Sequence, residues 1–210
     1  MASRKVGPRW GGSPGAIFRF DPTEHRYWLG DEEVPGFTAI CRDMGISETN
    51  PFYTEEGREE GIALHKWLIF LASGRESKKA PDERIAGRVE GIRKFLRETR
   101  FQFAGGEKPL LVEATRWACT PDLWGSIGGR SCLIEAKRGK KMPYHRLQTA
   151  AQQIALRAND WKVIDRIALY LKDGGYNLEK HDDLADEYRW LSVVAGYWAK
   201  KHYAGGVNGK

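Results

Sequence analysis

Hydrophobic and polar positions recur with two different periods along the chain, so the sequence predicts both helices and strands. We expect one helix to begin with Pro81, because proline fits the first turn of a helix but breaks its interior. The apolar residues that follow fall on one helical face, at Ile85, Val89, Ile92, Phe95 and Leu96.

The same reasoning places the other elements between turn residues. Further helices are expected at about 38–44, 55–71, 143–158 and 184–202. The middle of the chain then reads helix, three strands, helix and strand, which is typical of the α/β class. Strands are expected at 17–20, 26–29, 110–117, 122–127, 131–137 and 165–171, with a short one after Gly174-Gly175.

Length and charge set broad limits. The 210 residues suffice for one domain with a sizeable core, and the formal net charge is +6. We expect a flexible leader at 1–16, a single domain at 17–203 and a loose, glycine-rich tail at 204–210. The leader lacks the apolar stretch of a signal peptide, and no apolar run approaches the ~20 residues of a membrane span. We therefore expect a cytoplasmic protein that does not enter membranes.

The cysteines exclude two kinds of metal centre. Cys41, Cys119 and Cys132 are widely spaced and form no C-x-x-C pair, so neither a zinc ribbon nor a four-cysteine iron–sulphur cluster is expected. Disulfides are not expected in a reducing cytoplasm. The simplest interpretation is that all three thiols are buried as small apolar groups.

Residues 120–137 carry the most informative chemistry. Gly128-Gly129 favours a two-residue hairpin turn, and the resulting register places Asp122 opposite Glu135, with Cβ atoms roughly 5 Å apart. Strand alternation puts Lys137 on the face of Glu135 and turns Ala136 away. Adjacent carboxylates repel each other, and a divalent cation is the usual reason to keep them together. The pattern indicates a metal-dependent phosphodiester site, although a half-exposed hairpin with surface charges would show it too.

Pro121-Asp122 followed by Glu135-x-Lys137 resembles the signature of the PD-(D/E)XK nuclease superfamily. Gly61 and His65, one turn apart on a predicted helix, resemble the G-x-x-x-H element of its RecB-like exonuclease branch, in which the histidine binds metal; a core histidine is the alternative. Gln148 matches the glutamine of the downstream Q-x-x-x-Y element, but Gln152 stands where that element has tyrosine. That departure puts the role of the tyrosine in doubt.

The resemblance extends upstream. The segment from Phe18 to Thr38 is similar to the opening of phage-type stand-alone nucleases, with Val34-Pro35 before a helix start. The family often has a glutamate ahead of the motif aspartate, and Glu113 fits that position, although it also fits an ordinary edge residue. The family implies a restriction-endonuclease-like core, with a mixed central β-sheet flanked by helices (α-β-β-β-α-β), an N-terminal β-hairpin and extra helices.

The resemblance implies one or two Mg²⁺ or Mn²⁺ ions, held by His65, Asp122, Glu135 and the main-chain carbonyl of Ala136, with Glu113 for a second ion. Lys137 would orient the attacking water or stabilise negative charge, and Gln148 would position Lys137 or the nucleic acid. These roles make Asp122, Glu135, Lys137 and Gln148 the expected catalytic residues.

Basic residues crowd just past the carboxylate pair, where they would gather phosphates. A solvated turn and helix start is the competing interpretation. Trp124 shares the predicted face of Asp122 and is a candidate for stacking on a base. The expected DNA-binding residues are Arg138, Lys140, Lys141, His145, Arg146, Trp124, Arg58 and Lys66.

By resemblance the expected function is a metal-dependent DNA exonuclease that acts in recombination or repair, with a 5′-to-3′ polarity favoured. A recombination or single-strand-binding protein is an expected partner, and the oligomeric state is open. Two alternatives remain, a structure-specific or restriction-like endonuclease and a non-catalytic DNA-binding protein on the same fold.

Overall fold

The computed structural model describes residues 16–46, 54–77 and 79–204. The predicted leader, apart from its last residue, and the predicted tail, apart from its first, lie outside these residues. A 3-10 turn at Glu113–Thr115 interrupts one predicted strand. The elements are β1 Phe18–Asp21, β2 Arg26–Leu29, β3 Glu32–Val34, α1 Phe37–Asp43, α2 Glu55–Ala72, α3 Glu83–Thr99, β4 Gln102–Gly105, β5 Leu110–Val112, β6 Trp117–Cys119, β7 Leu123–Ile127, β8 Arg130–Lys137, α4 Tyr144–Ala158, β9 Asp165–Lys172, β10 Gly175–Lys180 and α5 Ala185–Ala204.

A five-stranded sheet in the order β10-β9-β8-β7-β4 forms the centre of the molecule. Strands β7 and β8 pair antiparallel, whereas β8 and β9 pair in parallel across the α4 crossover, so the sheet is mixed. Helices α2 and α3 pack on one face and α4 and α5 on the other. This arrangement confirms the predicted class, a mixed central sheet flanked by helices.

Two apolar clusters fill the space between the sheet and its helices, because the central strands bury side chains on both faces. On the side of α4 and α5, Trp124 and Leu133 of the sheet pack with Trp190. On the side of α2 and α3, Leu123 and Ile134 pack with buried residues of both helices. The three cysteines are buried free thiols, as predicted.

Two predicted boundaries were wrong, and one strand was not predicted. The strand expected at 110–117 is a hairpin, β5–β6, in a sheet of its own, since Arg116 adopts a left-handed conformation (φ 51°) that ends the turn. Strand β4, which was not predicted, forms the edge of the central sheet beside β7, where the 110–117 strand was expected. Pro81 precedes the helix rather than opening it, because Asp82 caps α3 by accepting a hydrogen bond from the Arg84 N–H at 2.9 Å.

The N-terminal hairpin forms as predicted and gains a third strand, so that β1, β2 and β3 make a separate antiparallel sheet. Tyr27 of this sheet is buried, and its hydroxyl lies 2.9 Å from Thr120 Oγ1, two residues before Asp122. The N-terminal sheet therefore rests against the segment that carries the candidate site. None of the helices among the described residues combines the length and the hydropathy that a membrane span requires.

Candidate active site

The β7–β8 hairpin has the predicted register. Gly128 and Gly129 both have positive φ, 57° and 79°, as the two-residue turn requires. Ile127 pairs with Arg130, and Leu123 pairs with Ile134. Asp122, the residue before β7, is thereby carried to the end of β8.

Asp122 and Glu135 lie side by side and are almost fully buried, 7% and 2% exposed. One oxygen of Asp122, Oδ2, accepts the main-chain N–H of Ala136 at 2.8 Å. Burial, together with the charge of Glu135, raises the pKa of Asp122 to about 7. Asp122 therefore holds its proton much more firmly than a free carboxyl group does.

His65 reaches this pair from α2. Its Nδ1 lies 3.5 Å from Asp122 Oδ1, and the negative charge of Asp122 raises the pKa of the imidazole. Gly61, one turn earlier, lines the same cleft, and a Cβ added there would meet no atom within 4 Å. The glycine leaves the approach to His65 open.

Another acidic side chain, Glu107, lies at the site although the sequence pattern did not predict it. Its Oε1 lies 3.8 Å from His65 Nδ1, and its main-chain N–H donates to the Pro121 carbonyl at 2.9 Å. Gly106 permits this close approach, because a Cβ there would lie 2.4 Å from the Asp122 carbonyl oxygen. Gly105-Gly106 ahead of an acidic residue is the signal that could have revealed it.

Both carboxylate oxygens of Glu135 accept hydrogen bonds, from Lys137 and from two glutamines of α4. Lys137 Nζ donates to Glu135 Oε1 at 2.7 Å and to Gln148 Oε1 at 2.8 Å. Gln148 Nε2 donates to Glu135 Oε1, and Gln152 Nε2 donates to Glu135 Oε2, both at 2.6 Å. Burial alone would raise the pKa of Glu135, but the Lys137 ammonium and these hydrogen bonds lower it. Glu135 is therefore the ionised member of the pair.

Gln152, which stands where the Q-x-x-x-Y element has tyrosine, contacts the central carboxylate directly. It is 3% exposed, and its Oε1 has no hydrogen-bond partner among the described residues. A buried acceptor without a partner costs about 1–3 kcal/mol, so the amide is kept at some expense to stability.

The chemical types of the groups at this site are those that bind divalent cations. They comprise one imidazole, two buried carboxylates and the carbonyl of Ala136, a residue that lines the cleft. In the described residues no three His, Cys, Asp or Glu side chains are arranged to hold an ion as they stand. Both oxygens of Glu135 accept hydrogen bonds from ammonium or amide donors. A bound ion would replace one of these contacts and would counter the burial and the charge of Glu135, which together raise the pKa of Asp122.

A cleft of about 870 Å³ opens in front of these residues, between α2 and the segment that follows β8. Three of the predicted DNA-binding cations line it. Arg138 pairs with Glu60 across the cleft, Arg58 pairs with Glu55, and Lys140 is exposed.

Two predicted site residues lie elsewhere. Glu113 is exposed in the 3-10 turn that closes the β5–β6 hairpin, whereas Asp122 follows the open end of that hairpin, so Glu113 is not a ligand of this site. Trp124 is 3% exposed and packs against Trp161 with ring centroids 5.6 Å apart. It belongs to the core and cannot stack on a base.

Four other predicted DNA-binding residues do not belong to the group of cations that lines the cleft. His145 is buried against the Tyr170 hydroxyl, and burial lowers its pKa to about 4, so it is not a cation. Arg146 pairs with Asp186 on the opposite side of α4. Lys141 pairs with Glu179 at 3.2 Å. Lys66 is exposed on α2 but does not line the cleft.

Comparisons with known proteins do not assign this chain to a family. No model of a protein family and no curated protein matches the sequence. The alkaline exonuclease LHK-Exo from Laribacter hongkongensis is similar in structure, with a TM-score of 0.45 and 14% identity over 79% of this chain and 86% of that chain. The same exonuclease in complex with dAMP gives 0.41 and 13% over 80% and 87%. These likenesses are too weak to assign a family, so the function is proposed from the site itself.

Proposed function

We propose that the protein is a metal-dependent nuclease that hydrolyses phosphodiester bonds from the ends of DNA. The observation that carries this proposal is Lys137, whose ammonium is held 2.7 Å from Glu135 and beside Asp122 at the floor of a cleft lined by cations. A structural ion pair has no need of the second carboxylate, whose pKa is raised by burial and by its neighbour.

His65, Asp122, Glu135 and the carbonyl of Ala136 would hold the ion, and Glu107 is the nearby acidic side chain that could support a second one. When bound, Mg²⁺ or Mn²⁺ acts as a Lewis acid on a phosphoryl oxygen and lowers the pKa of a bound water. The imidazole softens the donor set, so we expect Mn²⁺ to activate better than Mg²⁺.

Lys137 acts as a cation and not as a general base. Burial would lower its pKa, but the charges of Glu135 and Asp122 outweigh burial and raise it, so the amine stays protonated at neutral pH. The ammonium therefore stabilises negative charge that develops on the phosphoryl group. Gln148 positions it, because the Gln148 carbonyl accepts one Nζ proton at 2.8 Å.

The cleft supplies contacts for the DNA backbone. Arg58, Arg138 and Lys140 line one cleft with His65 and Lys137, so phosphates bound by these cations would lie next to the carboxylates. The preference for DNA ends, the 5′-to-3′ polarity and a role in recombination or repair, with a recombination or single-strand-binding partner, rest on the resemblance of the sequence elements.

The test uses end-labelled linear duplex and covalently closed circular DNA, each with Mn²⁺ and then with EDTA. We expect metal-dependent loss of the linear DNA while the circle stays intact, and the position of the label gives the polarity. Cleavage of the circle would favour the endonuclease alternative. Binding of both substrates with cleavage of neither would favour the non-catalytic alternative and contradict the proposal.

A further inference from the structure

Arg138 connects the two walls of the catalytic cleft. It belongs to the segment that follows β8, and its guanidinium pairs with the carboxylate of Glu60 on α2, the opposite wall. The side chain of Glu60 is only 14% exposed, and Arg88 Nη1 of α3 lies 3.6 Å from its Oε2. Isolated surface pairs contribute little to stability, but a network of several charges holds its geometry better. Arg138 is therefore held across the cleft by a network of three charges.

A glycine of α2 makes room for this side chain. A Cβ at Gly57 would overlap the guanidinium of Arg138, whereas a Cβ at Gly61, one turn later, would meet no atom within 4 Å. Glycine is less favourable than alanine in a helix by up to about 1 kcal/mol. At Gly57 the missing side chain lets the guanidinium lie directly against the backbone of the helix.

Arg138 crosses the cleft at a short distance from the reacting groups. Gly57, Gly61 and His65 follow one another at intervals of four residues and all line the cleft, so they mark its course along α2. The part of the helix from Gly57 to His65 is about 12 Å long. This length accommodates about three nucleotides of one strand at roughly 3.4 Å each. A strand that lies in the cleft thus meets the guanidinium a few nucleotides beyond the carboxylates.

We propose that the Arg138–Glu60 pair is a stop that admits a free DNA end and blocks a continuous strand, so that these residues determine the preference for ends. The proposal rests on the proposed nuclease function. An end that reaches the stop brings its last phosphates to the guanidinium, whose five N–H donors allow it to bind them while it keeps Glu60. A circular strand has no end, so it must break the Arg138–Glu60 pair before it can lie along the cleft.

The test compares linear duplex, linear single-stranded DNA and circular single-stranded DNA of one sequence, all with Mn²⁺. We expect the wild type to degrade linear DNA and to spare the circle. Gly57→Ala displaces the guanidinium and Glu60→Ala removes its partner, so both variants should cut the circle at least ~10-fold faster than the wild type. Alanine is the better helix former, so a loss of folding is not expected in Gly57→Ala.

Arg88→Gln is the matched control. It removes the other partner of Glu60 and leaves the Arg138–Glu60 pair in place, so this variant should spare the circle like the wild type. Cleavage of the circle by Arg88→Gln at the rate of the other two variants would overturn the proposal, because a general loosening of α2 would then explain the effect.

The outcomes separate the stop from the nuclease function. Variants at Gly57 and Glu60 that degrade linear DNA but spare the circle, or a wild type that cuts the circle, would overturn the stop and leave a nuclease. A wild type that degrades no linear DNA would contradict the nuclease function itself, and the stop with it.

The length of the products gives an independent measurement of the stop. On a denaturing gel we expect the wild type to release products of no more than about three nucleotides, and the two variants to release longer ones as well. Equal product lengths in the wild type and in both variants would overturn the proposal.

Discussion

Two polar clusters, each built around a buried carboxylate, flank the start of α4, and they differ in how well their charges are satisfied. The catalytic cluster consists of His65, Asp122, Glu135, Lys137, Gln148 and Gln152. The arginine cluster lies on the other side of the helix and consists of Arg146, Arg166, Asp183, Asp186 and Arg189.

In the arginine cluster each buried group has its partner. Arg166 and Asp186, both 3% exposed, pair at 3.1 Å, and Arg189 donates to the second oxygen of Asp186 at 2.8 Å. Arg166 also donates to the Asp183 carbonyl at 2.8 Å. In the catalytic cluster, by contrast, the pKa of Asp122 is raised to about 7 and Gln152 Oε1 lacks a partner among the described residues.

We propose that the arginine cluster serves stability and that the catalytic cluster serves chemistry. Both clusters include side chains of α4 and an almost fully buried carboxylate, Glu135 or Asp186, but the arginine cluster is more exposed at its edges. Polar groups left unsatisfied in a cleft are typical of a site that is completed by a ligand.

The largest expected effect is on cleavage, in the variant Lys137→Ala. Loss of the ammonium removes the positive charge beside the carboxylates, so we expect the cleavage rate to fall by ~1,000-fold or more. DNA affinity, measured by fluorescence anisotropy, should stay near wild type, because Arg58 and Arg138 remain. Lys162→Ala, an exposed lysine outside the cleft lining, is the control. Full activity of Lys137→Ala would remove the lysine from the chemistry.

The arginine cluster should respond in stability and not in catalysis. Asp186→Ala leaves Arg166 buried without its carboxylate, and breaking such a pair costs about 3–5 kcal/mol of unfolding free energy. Urea unfolding measures this loss, and the exposed neighbour Asp182 serves as control through Asp182→Ala. An unchanged unfolding midpoint for Asp186→Ala would show that the two clusters do not differ as described.

The pH dependence of stability should separate the clusters further. Because the pKa of Asp122 is about 7 when folded and near 3.8 when unfolded, the folded state binds more protons between these values. In EDTA, the contribution of Asp122 to the unfolding free energy is therefore fully present below about pH 4 and is lost as the pH rises through about 7. The stability of Asp122→Asn relative to wild type should accordingly be higher at about pH 8 than at about pH 5. An equal difference at both pH values would contradict the raised pKa.

The smallest expected effect belongs to Gln152→Leu. Removing the amide loosens Glu135 but keeps the other residues of the site, so we expect kcat to fall by about 10-fold with DNA affinity unchanged. Gln153→Leu is the matched control, because Gln153 donates to the main-chain carbonyl of Val163 at 2.9 Å and not to the site. An unchanged kcat in Gln152→Leu would show that Gln152 does not position Glu135.

The local features of the site could be predicted because they depend on short-range rules. The Gly128-Gly129 turn fixes the register, and the register fixes the position of Asp122 beside Glu135. Helical spacing puts Gly61 and His65 on one face of α2. These predictions need no knowledge of what covers each surface.

The remaining features depend on tertiary contacts that no local pattern contains. Alternation correctly puts Trp124 on the face of Asp122, but α4 and α5 cover most of that face, so the indole is core. Glu107 reaches the site only because β4 joins the central sheet and Gly106 lets the chain approach Asp122. The prediction that Glu113 is a metal ligand was wrong, because the 3-10 turn before Arg116 places this side chain on the surface away from Asp122.

Calorimetric titration of Mn²⁺ into the purified protein near neutral pH tests the central claim most directly. We expect the wild type to bind Mn²⁺ with release of protons, seen as an enthalpy that depends on the buffer, because the ion displaces the proton that the raised pKa of Asp122 retains. Asp122→Asn should lose most of this binding. A wild type that binds no Mn²⁺, or an Asp122→Asn variant that binds it equally well, would contradict a metal-dependent site at this cluster.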